Sequence, residues 1–366
     1  MNISTKLLTD LCALPTAAFL EDAVIDYVEA WAKKRSDVKV MTDGFGNRLL
    51  QVGKGRKPRL VLVAHVDHPS FVMMDDGYAE FRGGVFAECV GKTKVRFYTP
   101  GGEVLAIPKN IHASKSGRLE AINFTFRGDI PRGSIGMWEV GGKAGAPNVK
   151  GDRFSCRVCD DLAGVASALT ALDILRRDKL DQPVCVLLTR AEEVGLLGAI
   201  YAAKDTSSRK LLRETDRVIS IETSAIQPAA QQGKGVVLRV GDRVSIFHSA
   251  FMHFLFKLGQ SLTEKDQRKK DGFVFQRSLM PGGACEGTCF DAYGYVTAAA
   301  CVALGNYPNM DRDKKKMGPE YVSVRDWKHM VRLFVETGRH LGDFSGEHDV
   351  LRKKLDENLS KAMPLV

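Results

Sequence analysis

The 366-residue chain contains no apolar run approaching the roughly 20 residues of a membrane span. Its N-terminal stretch loosely resembles a secretory leader but is expected to be a helix instead. Asp10 interrupts the apolar residues, and Glu21-Asp22 follow without a small-residue cleavage signal, so Lys6 to Leu14 reads as the start of an amphipathic helix. Disulfide spacing is also missing. The eight cysteines are scattered, several of them inside apolar runs (Cys12, Cys89, Cys185, Cys301), which fits a reducing, cytoplasmic setting. A net charge of +9 would suit nucleic acid, yet no basic stripe is interleaved with aromatics. The basic runs at Lys265 to Lys270 and Lys314 to Lys316 read as solvated loops. No internal repeat or low-complexity segment is present. The sequence therefore argues against nucleic-acid and membrane partners. With 44% hydrophobic and 27% charged residues, the length points to roughly two domains.

What the sequence does have is three short apolar runs that end in potential metal ligands. Val184 to Leu188 reads as a strand buried on both faces and leads into Glu192-Glu193, then Gly195 and Gly198, a tight turn into a helix. Adjacent carboxylates at such a strand end lose hydration and repel, and a cation or a proton offsets that cost. Leu60 to Ala64 ends in His65-Val66-Asp67-His68. Asp216 to Ile221 ends in Glu222. Open α/β sheets place their sites at these carboxyl ends. A second acidic pair, Asp160-Asp161, opens an Ala/Val/Leu-rich helix from Leu162 to Arg177.

The rest of the chain frames these runs. Helical periodicity covers residues 4 to 34, split at Pro15; further helices are expected at Phe247 to Leu262 and Val324 to Leu341. Strands are expected at Val38 to Met41, Arg48 to Val52, Val236 to Val240, Gly272 to Leu279 and Tyr295 to Leu304. Between Met74 and Asn148 the glycines become dense and the strands short (Val85 to Val90, Lys94 to Tyr98, Glu103 to Ile107, Ala121 to Phe126), the pattern of an inserted all-β unit, a small barrel. The expected division is a main domain of residues 1–73 and 149–366 with a barrel insert of 74–148.

One imidazole with several carboxylates suits zinc, manganese or cobalt. Each residue also has a plainer reading. His65 alone is an ordinary strand-end histidine, and the C-x-x-C at Cys156 to Cys159 has no second pair to complete a zinc knuckle. His248 and His253 fall on an apolar helix, and Asp75-Asp76 in a turn.

Taken jointly and in order, His65-Val66-Asp67, Asp160-Asp161-Leu162-Ala163-Gly164 and Glu192 to Ala199 resemble the co-catalytic metal aminopeptidases that assemble as tetrahedral dodecamers, a family including glutamyl and deblocking aminopeptidases and endoglucanase-M-like proteins. The resemblance spans nearly the whole chain. It implies a zinc-peptidase-like α/β fold, a mixed sheet flanked by helices with an inserted β-barrel. It implies one or two Zn2+ ions, with Mn2+ or Co2+ as substitutes, and a homo-oligomer up to the dodecamer. By resemblance His65 and Glu222 hold one metal, Glu193 part of the other, Asp160 bridges, Glu192 is the general base and Asp67 orients His65. It also implies a cis Asp160-Asp161 peptide.

The chain departs from the family at three places. Glu222 stands where the family has Asp. Cys285 stands for the Asp of the family's Gly-Gly-Thr-Asp segment, here Gly282-Gly283-Ala284-Cys285. Asn309 occupies the position of the last His ligand, and Asn is a weak, neutral donor. His68 is a nearby imidazole; with Asp161 and Cys285 it is expected around the site. The expected reaction is release of N-terminal residues from short peptides. Two alternatives stay open: hydrolysis of another amide such as an acylated amino acid, and a catalytically silent relative serving assembly or binding.

Overall fold

The computed structural model describes residues 3–55, 57–344 and 347–363. The chain opens with α1 (Lys6–Leu11) and α2 (Asp22–Lys33), then strands β1 (Lys39–Thr42), β2 (Arg48–Val52) and β3 (Leu60–His65). Six strands follow: β4 (Ser70–Asp75), β5 (Tyr78–Arg82), β6 (Val95–Thr99), β7 (Gly102–Ala113), β8 (Leu119–Thr125) and β9 (Ile135–Trp138). After β10 (Asn148–Lys150) and β11 (Arg153–Cys156) come α3 (Leu162–Asp178), β12 (Val184–Thr189), α4 (Leu197–Lys204), β13 (Arg217–Ala225) and β14 (Val236–Gly241). The chain continues through α5 (Ser249–Lys265), β15 (Phe275–Leu279), α6 (Glu286–Ala292) and β16 (Val296–Leu304). The last elements are β17 (Met310–Asp311), β18 (Lys316–Met317), β19 (Glu320–Ser323), α7 (Val324–His340) and α8 (Glu347–Ala362).

The main sheet has eight strands in the order β1-β2-β12-β3-β13-β16-β14-β15. Its centre is parallel: β12 with β3, β3 with β13, β13 with β16. Antiparallel pairs enter at β1–β2, β2–β12 and β14–β16, which makes the sheet mixed. The continuous apolar runs are explained by burial on both faces. Leu62, Val186, Leu188 and Ile219 pack with α3 and α7 residues such as Leu169 and Phe334. Val61, Val63, Cys185 and Leu187 pack on the other face with Ala199, Ala202 and Phe290 from α4 and α6.

β4 to β9 close into an antiparallel barrel in the order β4-β5-β8-β7-β6-β9. Its core centres on Phe71, whose ring meets Phe81, Phe124 and Trp138 at centroid distances of 4.9, 5.3 and 4.8 Å. The barrel's first strand starts at Ser70, four residues before the patterning changes, because β4 is a buried strand that the glycine-rich signal does not reach. One expected strand is absent. Val85 to Val90 holds a 3₁₀ turn at Ala87–Cys89 and puts Val85, Cys89 and Val90 into the barrel core. Its apolar residues plug rather than alternate. β13 also runs three residues past Glu222, so that carboxylate lies inside the strand rather than after it.

No described helix is long and apolar enough to cross a membrane.

Candidate metal centre

Register brings the ligand-type residues together. Thr189 at the end of β12 pairs with His65 at the end of β3. Ser220 of β13 pairs with Val63, so two residues further along Glu222 lies level with His65. Asp160 enters from the loop between β11 and α3. One ligand atom from each of His65, Asp160 and Glu222 lies within 4.8 Å of the others, and His65, Glu192 and Glu193 form a second such group. His65 Nε2 is 3.5 Å from Asp160 Oδ1, which also accepts the Thr223 hydroxyl at 2.9 Å.

The Glu192-Glu193 turn is built by its glycines and by Asp67. A Cβ on Gly198 would lie 2.4 Å from the Arg190 carbonyl oxygen, so the helix can approach the strand end only with glycine there. Gly195 has φ +119°, a conformation L side chains rarely adopt. The Asp67 carboxylate accepts the backbone N–H groups of Glu192 and Glu193, both at 3.0 Å. Asp67 thus fixes the turn carrying both acids. Its carboxylate is 3.5 Å from His65 Nδ1, whose nearer partner is the Asp67 carbonyl oxygen at 3.2 Å.

The electrostatics are those of a crowded anion cluster. Burial, followed by neighbouring carboxylates, raises Glu192, Glu193 and Asp161 well above the ordinary carboxylate range. Burial likewise pushes Glu222 to about 7 and Glu286 to about 8. Burial opposes a charge on His65, but the Glu192 carboxylate and contacts to Asp160 and Asp67 hold its imidazole well above its usual value. Glu222 Oε1 and both oxygens of Asp161 and Glu286 are buried without a hydrogen-bond partner. A carboxylate set this dense and under-satisfied fits a divalent cation, whose charge would offset the repulsion and desolvation.

The other expected site residues are less simply placed. Asn309 is buried at φ +53°, and its side chain is engaged elsewhere. Its Oδ1 faces His68 Nε2 at 3.0 Å and its Nδ2 donates to the Arg157 carbonyl at 2.9 Å. His68 Nδ1 lies 2.5 Å from the Asp160 carbonyl oxygen, so both ring nitrogens are occupied. The residues around a second cation position therefore do not fit one as well as His65, Asp160 and Glu222 fit the first. Cys285 caps α6, with its N–H on Asp242, and is buried beside Arg239 rather than open to the site. The Asp160-Asp161 peptide is cis, as the resemblance implies.

Three residues were not singled out by the sequence reading. Glu286 is the buried first residue of α6, and the His65 imidazole acts electrostatically on its carboxylate. Glu320 Oε2 accepts the N–H groups of Cys159 and Asp160, and its Oε1 accepts that of Asn309. Arg239, buried on β14, lines the same cavity of about 140 Å³ as His65, Glu192, Glu193, Glu222 and Tyr307. Only Glu286 had a sequence signal, as the one acid in the Pro281 to Gly287 loop.

Residues 140–303 match the family model described as M42 glutamyl aminopeptidase. The match covers somewhat less than half of the 366-residue chain. The matched segment carries Asp160, Glu192, Glu193 and Glu222, while His65 and Asn309 lie outside it. Similar solved structures share the fold. A TET aminopeptidase from the archaeon Thaumarchaeota archaeon SCGC AB-539-E09 superposes with a TM-score of 0.74 at 17% identity, over 93% of this chain and 99% of that one. The Pyrococcus horikoshii TET1 peptidase, whose description has it assembling into a tetrahedron or a large octahedral shell, gives 0.70 at 20%, over 91% and 98%. An aminopeptidase from Desulfurococcus kamchatkensis gives 0.68 at 22%, over 90% and 92%. The chain thus shares the fold of these proteins along nearly its full length.

Proposed function

We infer that this chain is a peptidase of the M42 kind, a metal-dependent aminopeptidase that releases N-terminal residues from short peptides. The observation that carries the reading is the convergence of His65, Asp160 and Glu222 on one point, with Glu192 on the wall of the same cavity. A divalent cation held by those three residues, zinc by ligand type, would polarise the substrate carbonyl and lower the pKa of an attacking water. Glu192 is the residue whose carboxylate would accept a proton from the attacking water and pass it to the leaving amine. Asp67 keeps Glu192 in place through the backbone of the turn. The carboxylates around the cavity give the substrate's free ammonium group a favourable place, and a volume near 140 Å³ suits one residue rather than a folded chain. We assign a single tightly held ion per chain, because Asn309 and His68 satisfy each other.

Assembly as a homo-oligomer, up to the dodecamer, is part of this proposal, as is the division into a main domain (1–73 and 149–366) and a barrel insert (74–148). A cytoplasmic setting agrees with eight cysteines that are all free and buried. The test is bound metal per chain, measured alongside hydrolysis of a panel of aminoacyl amides and acylated amino acids, with sedimentation for the assembly state. Cleavage of acylated amino acids alone, or metal binding without hydrolysis of either class, would reject the aminopeptidase reading.

A further inference from the structure

The C-x-x-C of β11 and the following loop has no part in the chemistry above, yet it adjoins it. Cys156 ends β11, Cys159 immediately precedes Asp160, and the two sulfurs are 3.4 Å apart. Both residues have 0% exposure. Cys12, at the end of α1, supplies a third thiol within hydrogen-bonding reach of Cys156. These thiols do not form a ready metal site: among the described residues, the groups able to hold an ion are the two containing His65. A disulfide needs sulfurs about 2.05 Å apart, so closing this gap takes roughly 1.4 Å of movement. That is within reach of side-chain rotation and a small shift of Arg157 and Val158, the two residues between the cysteines.

We propose that Cys156 and Cys159 form a reversible disulfide under hydroperoxide, and that the bond lowers the affinity of the adjoining metal centre by displacing Asp160. In the first step one thiol sulfur attacks hydrogen peroxide. An S–O bond forms, the O–O bond breaks, and water leaves with the thiol proton. In the second, the other sulfur attacks the resulting sulfenic acid. An S–S bond forms, the S–O bond breaks, and a second water carries away the remaining proton. Two thiols lose two electrons and one peroxide gains them. A dithiol reductant reverses the bond by exchange. Hydrogen peroxide is close to water in size and reaches a buried thiol through local opening, so the reaction is slower than at an exposed cysteine.

The coupling to the centre is short and covalent. The Cys159 and Asp160 N–H groups share one acceptor, Glu320 Oε2, at 2.6 and 3.1 Å, and the Asp160 carbonyl oxygen lies against His68. Drawing Cys159 toward Cys156 disturbs all three contacts at the residue that joins His65 and Glu222.

The inference about affinity rests on Asp160 as a ligand; the inference about the bond does not. The full chain is treated with graded hydrogen peroxide, mapped for a Cys156–Cys159 linked peptide, and its zinc dissociation constant is measured by equilibrium dialysis before and after dithiothreitol. The expected result is the mapped link with zinc binding weakened about tenfold or more, the scale of losses when a ligand's supporting contacts are removed. Dithiothreitol restores it. Cys159→Ser abolishes both changes and Cys12→Ser leaves both; if Cys159→Ser does not fold, Cys156→Ala serves in its place. The proposal is overturned if folded protein yields no such link, if Cys156 pairs with Cys12 instead, or if the link forms with zinc binding unchanged. Absence of zinc binding in the reduced chain would instead strike the reading of Asp160 as a ligand, and with it the coupling, while the mapped link would still decide the bond.

Discussion

At the scale of single residues, Glu192 and Asn309 carry the sharpest expectations. Glu192→Gln keeps size and hydrogen bonding but removes the proton acceptor, so hydrolysis should fall about 10²–10⁴-fold with bound metal unchanged. Retention of more than half the activity would remove Glu192 from the role of base. Asn309→His should raise zinc from one to two ions per chain after dialysis against trace zinc, counted by elemental analysis. The backbone permits the change, since histidine is among the residues enriched at positive φ, where Asn309 already sits at +53°. Two equally tight ions in the unmodified chain would show that Asn309 is no obstacle. His65, Glu192, Glu193 and Glu222 were legible in the sequence because each follows or lies near the end of an apolar run, and Asp160 because it stands just before an apolar helix. Glu320 and Arg239 were not. A single acid in a short edge strand, and an arginine in an apolar strand, gain their meaning only from what the fold puts opposite them.

At the scale of elements, the barrel has a core cluster separate from that of the main sheet, to which Met310 of β17 and Met317 of β18 also contribute. Phe71 touches three other aromatic rings and is fully buried. Phe71→Ala should destabilise the barrel by about 3–5 kcal/mol in denaturant unfolding, while zinc binding at the centre persists. Loss of zinc binding along with the barrel would mean that the two parts do not hold their structure separately. Fully apolar strands are legible where burial is uniform, as in Leu60 to Ala64 and Val184 to Leu188. The reading failed at Val85 to Val90, where apolar residues serve as a plug, and it did not extend to β4, β5 and β9. The end of β13 was missed because Thr223, Ser224 and Ala225 look like a loop but remain hydrogen-bonded to β16.

At the scale of the whole molecule, the site is a source of instability until a cation enters. Glu222 and Glu286 have folded values of about 7 and about 8, above the roughly 4.3 of an unfolded glutamate. Groups raised in this way favour the folded state below the unfolded value, and that contribution is lost as pH rises through the folded value. Chelator-treated protein should therefore melt at progressively lower temperature between about pH 4.5 and pH 8. Added zinc should raise the melting temperature more at pH 8 than at pH 5, because the ligands must be deprotonated to bind it. A zinc effect equal at both values would argue that these carboxylates do not face the ion.

The Glu320 carboxylate, which receives three backbone N–H groups from two separate loops, also bears on how the protein breathes. Cys159 and Asp160 lie about 160 residues away from Glu320 in sequence, Asn309 only 11. One side chain is thus the lock between a segment that precedes α3 and one that follows β16. Neither loop can open without releasing the other's amides, so the three should exchange with solvent deuterium as one cooperative unit, with a single opening free energy. Glu320→Ala should speed all three together and leave barrel amides such as that of Phe97 untouched. Independent exchange of the Asn309 amide would show that the two loops open separately. If the lock holds, the centre is present whole or not at all, and a partly opened molecule offers a cation no half-formed site.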